Sequence, residues 1–234
     1  MAPKPAKTDV SDAAPAARQS RAGHVLDTLR QSIRDGHYKP GQRMRETEVA
    51  TELGVSRTPV REAFRQLQAD GLLTMEPWRG VVVAEMDEQQ IIELYAMRRM
   101  LEGAAAALAA RHAAESQIAA LADVLDTSAT ETDPDALAAL NRQFHQGIYT
   151  AAHNRYLLKA LHALADSMAL LPSTTYALSE RPATALAEHR EVLDAIRRRD
   201  HEVAEQAARD HITQAERARL KVVFALGQDT KDRV

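Results

Sequence analysis

Two arginines in the first third of the chain have the type and spacing to read DNA bases. Arg57 and Arg61 are four residues apart, so they project from one face of a predicted helix, near its N-terminus. A guanidinium group is planar and can donate two parallel hydrogen bonds to guanine O6 and N7. The alternative is that both arginines are solvated surface charges, which is the commoner role of arginine on a helix.

Further residues around this pair could support DNA binding. Arg65 continues the same helix face and could reach a phosphate, and Thr58 could contact the DNA backbone or a thymine methyl group. Arg79 and Gly80 fall in a predicted hairpin turn that could approach the minor groove or the sugar-phosphate chain. Two candidate phosphate clamps precede the short second helix: Arg43 and Arg45.

Three histidines lie on the predicted inward faces of three different helices and could bind a metal. His145, His189 and His211 each stand in a row of apolar residues at helical spacing. A buried imidazole needs a polar partner, and a single one is usually a hydrogen-bonded core residue. Three in one bundle favour a divalent metal such as Zn, Ni or Mn, which neutral imidazoles bind. Asn141, one turn before His145, could add a fourth ligand through its amide oxygen.

A charged pair precedes these histidines in the chain. Arg98 and Glu102 are four residues apart, and one interpretation is a surface ion pair that contributes about 0.5 kcal/mol. The other interpretation is an effector site, in which Arg98 binds the carboxylate of a small organic acid through two hydrogen bonds while the metal holds another oxygen. Tyr149, one turn after His145, could line the same pocket.

The hydrophobic pattern indicates which elements position the DNA-reading candidates. Apolar residues at helical spacing predict three helices, and β-prone runs around a turn rich in Pro and Gly predict a hairpin. The order of these elements is that of a winged helix-turn-helix. The predicted helices span about 18–35, 46–53 and 57–70, and the predicted strands 72–75 and 81–83.

From Asp87 onward the sequence predicts only helices. Asp87 with Gln90 resembles a capping box, and Asp133 with Pro134 resembles a second helix start. Short connections between amphipathic helices suggest one antiparallel bundle. The predicted fold is therefore mainly α, with an N-terminal winged helix-turn-helix followed by an all-α antiparallel helical bundle. The six predicted helices span about 87–113, 116–129, 134–152, 155–171, 183–199 and 201–225.

Composition narrows the class of protein. The chain has no cysteine, which excludes disulfides and thiolate metal sites. No apolar run approaches the roughly 20 residues that span a bilayer, and the N-terminus lacks the apolar segment of a secretory signal. We expect a soluble cytoplasmic protein without a membrane partner. Its expected organisation is a disordered tail (1–18), a DNA-binding domain (19–86), a helical effector-binding and dimerisation domain (87–226) and a tail (227–234).

The segment VSRTPVREAFRQLQADGLL resembles the recognition helix of the GntR-type regulators, which carry an SRTPVREAL-like segment followed by Gly-Leu. The resemblance covers residues 21–86 and includes the Arg79-Gly80 wing. It implies that Arg57 and Arg61 are the base readers. Thr47 stands where some relatives have another DNA-contacting arginine, so the resemblance does not extend to that contact.

The helical half resembles the FCD ligand-binding domain of the FadR subgroup over about 90–215. The resemblance rests on YAMRRMLEGAAAALAA, on Asn-x-x-Phe-His at 141–145, on Glu188-His189 and on the later His211. In many members an aspartate four residues before the Phe-His histidine joins three histidines around a divalent metal. The resemblance implies the ligands Asn141, His145, His189 and His211. A neutral asparagine oxygen attracts a cation less strongly than the carboxylate of the usual aspartate.

These features together predict a sequence-specific transcription regulator whose affinity for operator double-stranded DNA is controlled by a small carboxylate effector bound at or near a divalent metal. A homodimer would read a palindrome with half-sites about one helical turn apart. Regulators with an appended aminotransferase-like enzyme are longer than this chain, and those with a mixed α/β effector domain need strands after Val83.

Two alternatives stay open. In the first, the metal has a purely structural role and another partner governs DNA binding. In the second, the bundle is a metalloenzyme, since three histidines can leave an open position on zinc. The sequence places no general base with the histidines and has no H-E-x-x-H motif. We therefore expect a regulator and not an enzyme.

Overall fold

The computed structural model describes residues 15–171 and 173–231, and the side chains of 21–171 and 173–225. The chain divides into two compact units between Ala84 and Glu85, two residues before the boundary predicted from the sequence. Residues 1–14 of the predicted N-terminal tail lie outside the described residues. The two units are described separately below.

The first unit contains three helices and a hairpin, in the predicted order. Its elements are α1 (Pro15–Arg34), α2 (Glu46–Glu52), α3 (Arg57–Ala69), β1 (Leu73–Glu76) and β2 (Gly80–Val83). The first helix begins inside the predicted tail, because proline is favourable in a first helical turn and alanines continue the helix.

The recognition helix is held by its apolar face. Helix α3 buries Val60, Ala63, Phe64 and Leu67, as the helical spacing predicts. The hairpin is antiparallel, with Leu73 opposite Val83. The segment before α2 joins this hairpin, because the Met44 amide donates to the Val81 carbonyl (2.9 Å) and Arg43 pairs with Val82. Sequence reasoning missed this isolated β-bridge beside the two-stranded hairpin.

The second unit is helical throughout the part that the structure describes. Its helices are α4 (Glu88–His112), α5 (Glu115–Thr130), α6 (Pro134–Ala151), α7 (Arg155–Met168), α8 (Arg181–Arg197) and α9 (His201–Lys231), with a 3₁₀ turn (Thr175–Ala177) between α7 and α8. Helix α9 continues into the predicted C-terminal tail, since no proline interrupts it. Residues 232–234 lie outside the described residues. Among the described helices, none is both long and apolar enough to cross a membrane.

Helix α4 starts and packs as its sequence predicts. The Asp87 side chain accepts from the Gln90 amide (2.8 Å) and the Gln90 side chain accepts from the Asp87 amide (2.9 Å), which completes the capping box. Small residues then let α9 approach closely: a Cβ atom on Gly103 would lie 2.9 Å from Arg209 Cγ. This close contact sets the position of His211, which lies on α9 just beyond Arg209.

Candidate functional site

Three histidines from three helices meet inside the second unit. His145 on α6, His189 on α8 and His211 on α9 are all buried. His211 Nε2 lies 3.2 Å from His145 Nε2 and 3.2 Å from His189 Nε2. Their ligand nitrogens lie within 4.8 Å of one another. The structure therefore brings together the three histidines that the sequence singled out.

Two of the imidazoles are oriented by carboxylates. His145 Nδ1 lies 2.7 Å from Glu102 Oε2, and His211 Nδ1 lies 2.7 Å from Glu188 Oε2. An ionised carboxylate only accepts hydrogen bonds, so in a neutral imidazole the proton must be on Nδ1 and the lone pair on Nε2. With these tautomers the contact between His145 Nε2 and His211 Nε2 (3.2 Å) brings two lone pairs close together, an arrangement that a cation between the rings would stabilise.

Each of these carboxylates is in turn bound by an arginine. Arg98 Nε donates to Glu102 Oε1 (2.7 Å), and Arg181 Nη1 donates to Glu188 Oε1 (2.8 Å). Two Arg–Glu–His relays therefore converge on one point: Arg98–Glu102–His145 runs from α4 to α6, and Arg181–Glu188–His211 runs from α8 to α9. Such outer partners fix the tautomer and the orientation of metal-binding histidines.

The surroundings of the cluster favour a charged form of Glu102 and a neutral form of His189 and His211. Burial alone would raise the pKa of Glu102, but Arg98, followed by His145, holds that pKa well below its usual range. Burial lowers the pKa of His189 and of His211, and the neighbouring imidazoles lower both further. A neutral imidazole is the form that binds a metal. The neutral imidazoles of the cluster can therefore act as ligands of a cation.

A small cavity adjoins the histidine cluster. It is lined by Glu102, Tyr149 and the three histidines together with apolar side chains, and it has room for about one water molecule. Burial raises the pKa of Tyr149, and the nearby Glu102 carboxylate raises it further. The phenol therefore stays protonated beside Glu102.

Asn141, the fourth predicted ligand, is hydrogen-bonded elsewhere. Its Oδ1 atom accepts from the Tyr176 hydroxyl group (3.1 Å). Asn141 and Tyr176 line a second cavity, which also touches Phe144 and His189. In this conformation the amide oxygen of Asn141 binds the 3₁₀ turn that contains Tyr176.

The predicted effector residues are more buried than a surface pair would be. Arg98 and Glu102 are each 3% exposed, so the surface-ion-pair interpretation is wrong. The Arg98 guanidinium carbon also lies 4.8 Å from the centre of the Tyr95 ring. Tyr149 borders the same cavity as Glu102.

The two predicted base readers lie exposed on α3 and share one acceptor. Arg57 Nη2 lies 3.3 Å from Glu46 Oε2, whereas Arg61 donates from Nε to Oε1 (3.1 Å) and from Nη2 to Oε2 (3.1 Å). The hydrogen bond from Arg61 is the main cause that lowers the pKa of Glu46. Sequence reasoning missed Glu46, because only the packing of α2 against α3 brings it near these arginines.

The other DNA-contact candidates differ in their surroundings. Thr58, Arg65 and Arg43 are exposed. Arg45 pairs with Glu48 (2.6 Å) at the start of α2. These positions are accessible to a phosphate, although an approaching phosphate would compete with Glu48 for Arg45.

The wing residues are more constrained. Arg79 donates from Nη1 to Glu76 Oε2 (2.7 Å) and from Nη2 to the Gly41 carbonyl (2.6 Å). Gly80 has a φ angle of +80°, which a residue with a side chain rarely adopts. The arginine at the wing therefore folds back onto the base of the hairpin.

Comparison with known proteins identifies both units. Residues 21–83 match the gntR family of bacterial regulatory proteins, and residues 93–214 match the FCD domain. The chain is also 35% identical over 198 residues to the probable D-xylose utilization operon transcriptional repressor of Paenarthrobacter nicotinovorans, across 83% of this chain and 87% of that one. This chain belongs to the GntR family and carries an FCD domain. The resemblance predicted from the sequence is confirmed.

Other GntR relatives agree with this assignment. The galactonate operon transcriptional repressor of Escherichia coli K12 is 29% identical over 227 residues, which cover 87% of this chain and 98% of that one. Among solved structures, E. coli McbR/YncC has a TM-score of 0.76 at 24% identity and covers 87% of this chain and 98% of that one, which supports the fold. The mainly α fold, with its winged helix-turn-helix and helical domain, is confirmed. The chain is a DNA-binding transcription regulator and not an enzyme.

Proposed function

We propose that this regulator binds operator DNA with an affinity set by a small carboxylate effector at or near a divalent metal in the helical unit. Arg57 and Arg61 would read bases, with Thr58, Arg65, Arg43 and Arg45 on the DNA backbone. His145, His189 and His211 would hold the metal. A protein of this kind acts in the cytoplasm, where operators are.

The observation that carries this proposal is the convergence of three imidazole Nε2 atoms, two of which carry lone pairs. Two nitrogens that share one ion at about 2.1 Å lie roughly 3.0–3.4 Å apart, and His211 Nε2 lies 3.2 Å from the Nε2 atoms of His145 and His189. FCD domains are known to bind metals. The residues present therefore fit a divalent cation such as Zn, Ni or Mn.

The metal, when bound, would act as a Lewis acid that attracts a carboxylate oxygen of the effector. Tyr149 lines the cavity, and its hydroxyl group would donate to the same carboxylate in exchange for its present hydrogen bond to Glu102. Arg98 and Glu102 would act chiefly through His145, since they already bind each other at 2.7 Å. Asn141 would join the ligands through the second lone pair of Oδ1, since the first accepts from Tyr176.

The cavity as it stands is too small for an organic acid, so binding must open it. We infer that opening changes the geometry of a homodimer, whose two recognition helices would read the two halves of a palindrome. An effector that binds one dimer geometry better than the other would shift operator affinity by that difference.

The test compares operator affinity in four states of the full-length protein. A fluorescent duplex, selected by the protein from a random-sequence pool, is titrated with chelator-treated or zinc-loaded protein, each with and without a panel of small organic acids. We expect one or more acids to change affinity only when zinc is present. The matched variant His153→Ala, which alters an exposed histidine of the same unit, should respond as the wild type does.

A purely structural metal is the second candidate. The small cavity favours it, because its free space is close to one water molecule. In that case zinc would raise the unfolding temperature of the helical unit, yet no acid in the panel would alter operator affinity.

A further inference from the structure

The tip of the wing carries a tryptophan whose side chain is fully exposed. Trp78 is the only tryptophan of the chain, and its relative exposure is 101%. Tryptophan is a large amphipathic side chain that is usually buried against a partner. Complete exposure at a hairpin tip makes the indole available for contact with another molecule.

The backbone at Trp78 is in an unfavourable conformation. The Arg79 amide donates to the Pro77 carbonyl (2.8 Å), which closes a three-residue turn around Trp78 with a φ angle of +67°. Turns of this kind are rare and strained, and a bulky residue at positive φ is uncommon. Glycine would suit this position better for folding alone. The strain is consistent with a functional demand for the indole.

The neighbouring arginine is less free than the indole. Both terminal nitrogens of Arg79 are bound to the hairpin and to the segment before α2. The sequence had favoured Arg79 as the group at the wing tip. The structure instead leaves Trp78 as the fully accessible side chain of this turn.

The surroundings of Trp78 indicate which partner it meets. Arg43 Nη2 lies 3.9 Å from the position of a Cβ atom on Gly80, so two arginines flank the tip. The same compact unit carries Arg57 and Arg61 on α3. An aromatic ring among guanidinium groups suits nucleic acid, because sugars and base edges accept the ring while phosphates accept the charges.

We propose that Trp78 packs its indole against the deoxyribose and base edges of the minor groove beside the bases that Arg57 and Arg61 read. Apolar side chains enter the minor groove in this way in other DNA-binding proteins. This inference rests on the proposed DNA reading and adds a contact to it. Trp78 would strengthen binding to the operator and favour sequences whose minor groove admits the ring.

Intrinsic fluorescence tests the contact directly, because Trp78 is the sole tryptophan. The full-length protein is titrated with an unlabelled duplex that it selected from a random-sequence pool. Emission is followed together with its quenching by acrylamide. We expect the emission to change with the same midpoint as DNA binding, and we expect bound DNA to protect the indole from acrylamide.

Variants test the energetic contribution. Trp78→Ala should weaken binding to the same duplex, labelled for anisotropy, by at least about fivefold, and Trp78→Phe should recover most of the loss. Tyr156→Ala removes another highly exposed aromatic residue, in the helical unit, and should leave the affinity unchanged. Thermal unfolding should be the same for all three variants, because none of the side chains is buried.

The outcomes separate this inference from the proposed function. A duplex that binds with unchanged emission, and with equal affinity for wild type and Trp78→Ala, overturns the role of Trp78 while DNA reading stands. A change of emission that follows protein concentration without DNA would place Trp78 between copies of the chain, and would also overturn it. Failure to select any duplex would refute DNA reading itself, and the inference with it.

Discussion

The two units use the same pair of side chains, arginine and glutamate, in opposite environments. In the first unit Glu46 holds Arg57 and Arg61 at an exposed surface. In the second unit Arg98 and Glu102 are each 3% exposed and continue to His145. Water screens the first set, so its bonds can be exchanged for bonds to DNA. The protein interior excludes water and DNA, so Arg98 and Glu102 keep their bonds and hold His145 in one orientation.

The difference also separates two functions. A surface carboxylate can keep the arginines proposed to read bases extended and aligned until a base or a phosphate replaces it. A buried carboxylate with a permanent arginine partner can only orient what it touches. Exposure therefore decides whether an Arg–Glu pair takes part in recognition or supports a site.

Breaking the buried pair should have the largest effect. Arg98→Met leaves Glu102 buried without its arginine partner, and we expect a loss of about 3–5 kcal/mol in the free energy of unfolding of the helical unit. Urea denaturation of chelator-treated protein measures it. The double variant Arg98→Met/Glu102→Leu should recover much of the loss. An Arg98→Met protein as stable as the wild type would contradict the buried pairing.

Removing a base reader should affect binding instead of folding. Arg57→Ala or Arg61→Ala should weaken binding to the selected duplex roughly 5- to 150-fold and relax its sequence preference. Anisotropy titrations against the selected duplex and a scrambled one measure both effects. Arg142→Ala, an exposed position on α6, is the matched control. Unchanged affinity and preference for Arg61→Ala would refute its role.

Loosening one relay should weaken metal binding. Glu188→Leu removes the acceptor of His211 Nδ1, and we expect zinc affinity to fall about 10- to 100-fold. Glu188→Gln keeps an acceptor oxygen and should lose less. Competition with a chromogenic chelator gives the affinities. If Glu188→Leu binds zinc as the wild type does, the second relay does not orient His211.

The smallest effect is expected at the surface carboxylate. Glu46→Gln should change the free energy of unfolding by less than about 1 kcal/mol, because water screens its bonds to the two arginines. It should nevertheless speed association with the selected duplex, because it removes a negative charge that repels the DNA phosphates and competes for Arg57 and Arg61. Stopped-flow anisotropy measures the rate. A large loss of stability would mean that the surface and interior pairs do not differ as described.

Much of the fold follows from local patterns in the sequence. The spacing of apolar residues in α3 predicts which face of the helix is buried. Asp87 and Gln90 predict where α4 begins. The three histidines were found because each interrupts an apolar stripe. Their number, more than any single one, indicated a shared site.

The partners of these residues could not be predicted in the same way. Glu188 and His211 are 23 residues apart in the sequence, and Glu46 and Arg61 are 15 apart. Only tertiary packing brings the members of each pair into contact. The spacing of Arg98 and Glu102 suggested their contact but not their burial. Pro77 and Gly80 predict a turn at Trp78. They do not predict the positive φ angle of Trp78, on which its exposure depends.

The convergence of His145, His189 and His211 on one cation is tested most directly by metal stoichiometry. Chelator-treated protein is titrated with Co²⁺, and the visible absorption of the complex is recorded for wild type, His211→Ala and the control His153→Ala. We expect one Co²⁺ per chain, with the absorption of a histidine-bound ion, in the wild type and the control, and no such complex in His211→Ala. Identical titrations for wild type and His211→Ala would contradict the metal centre.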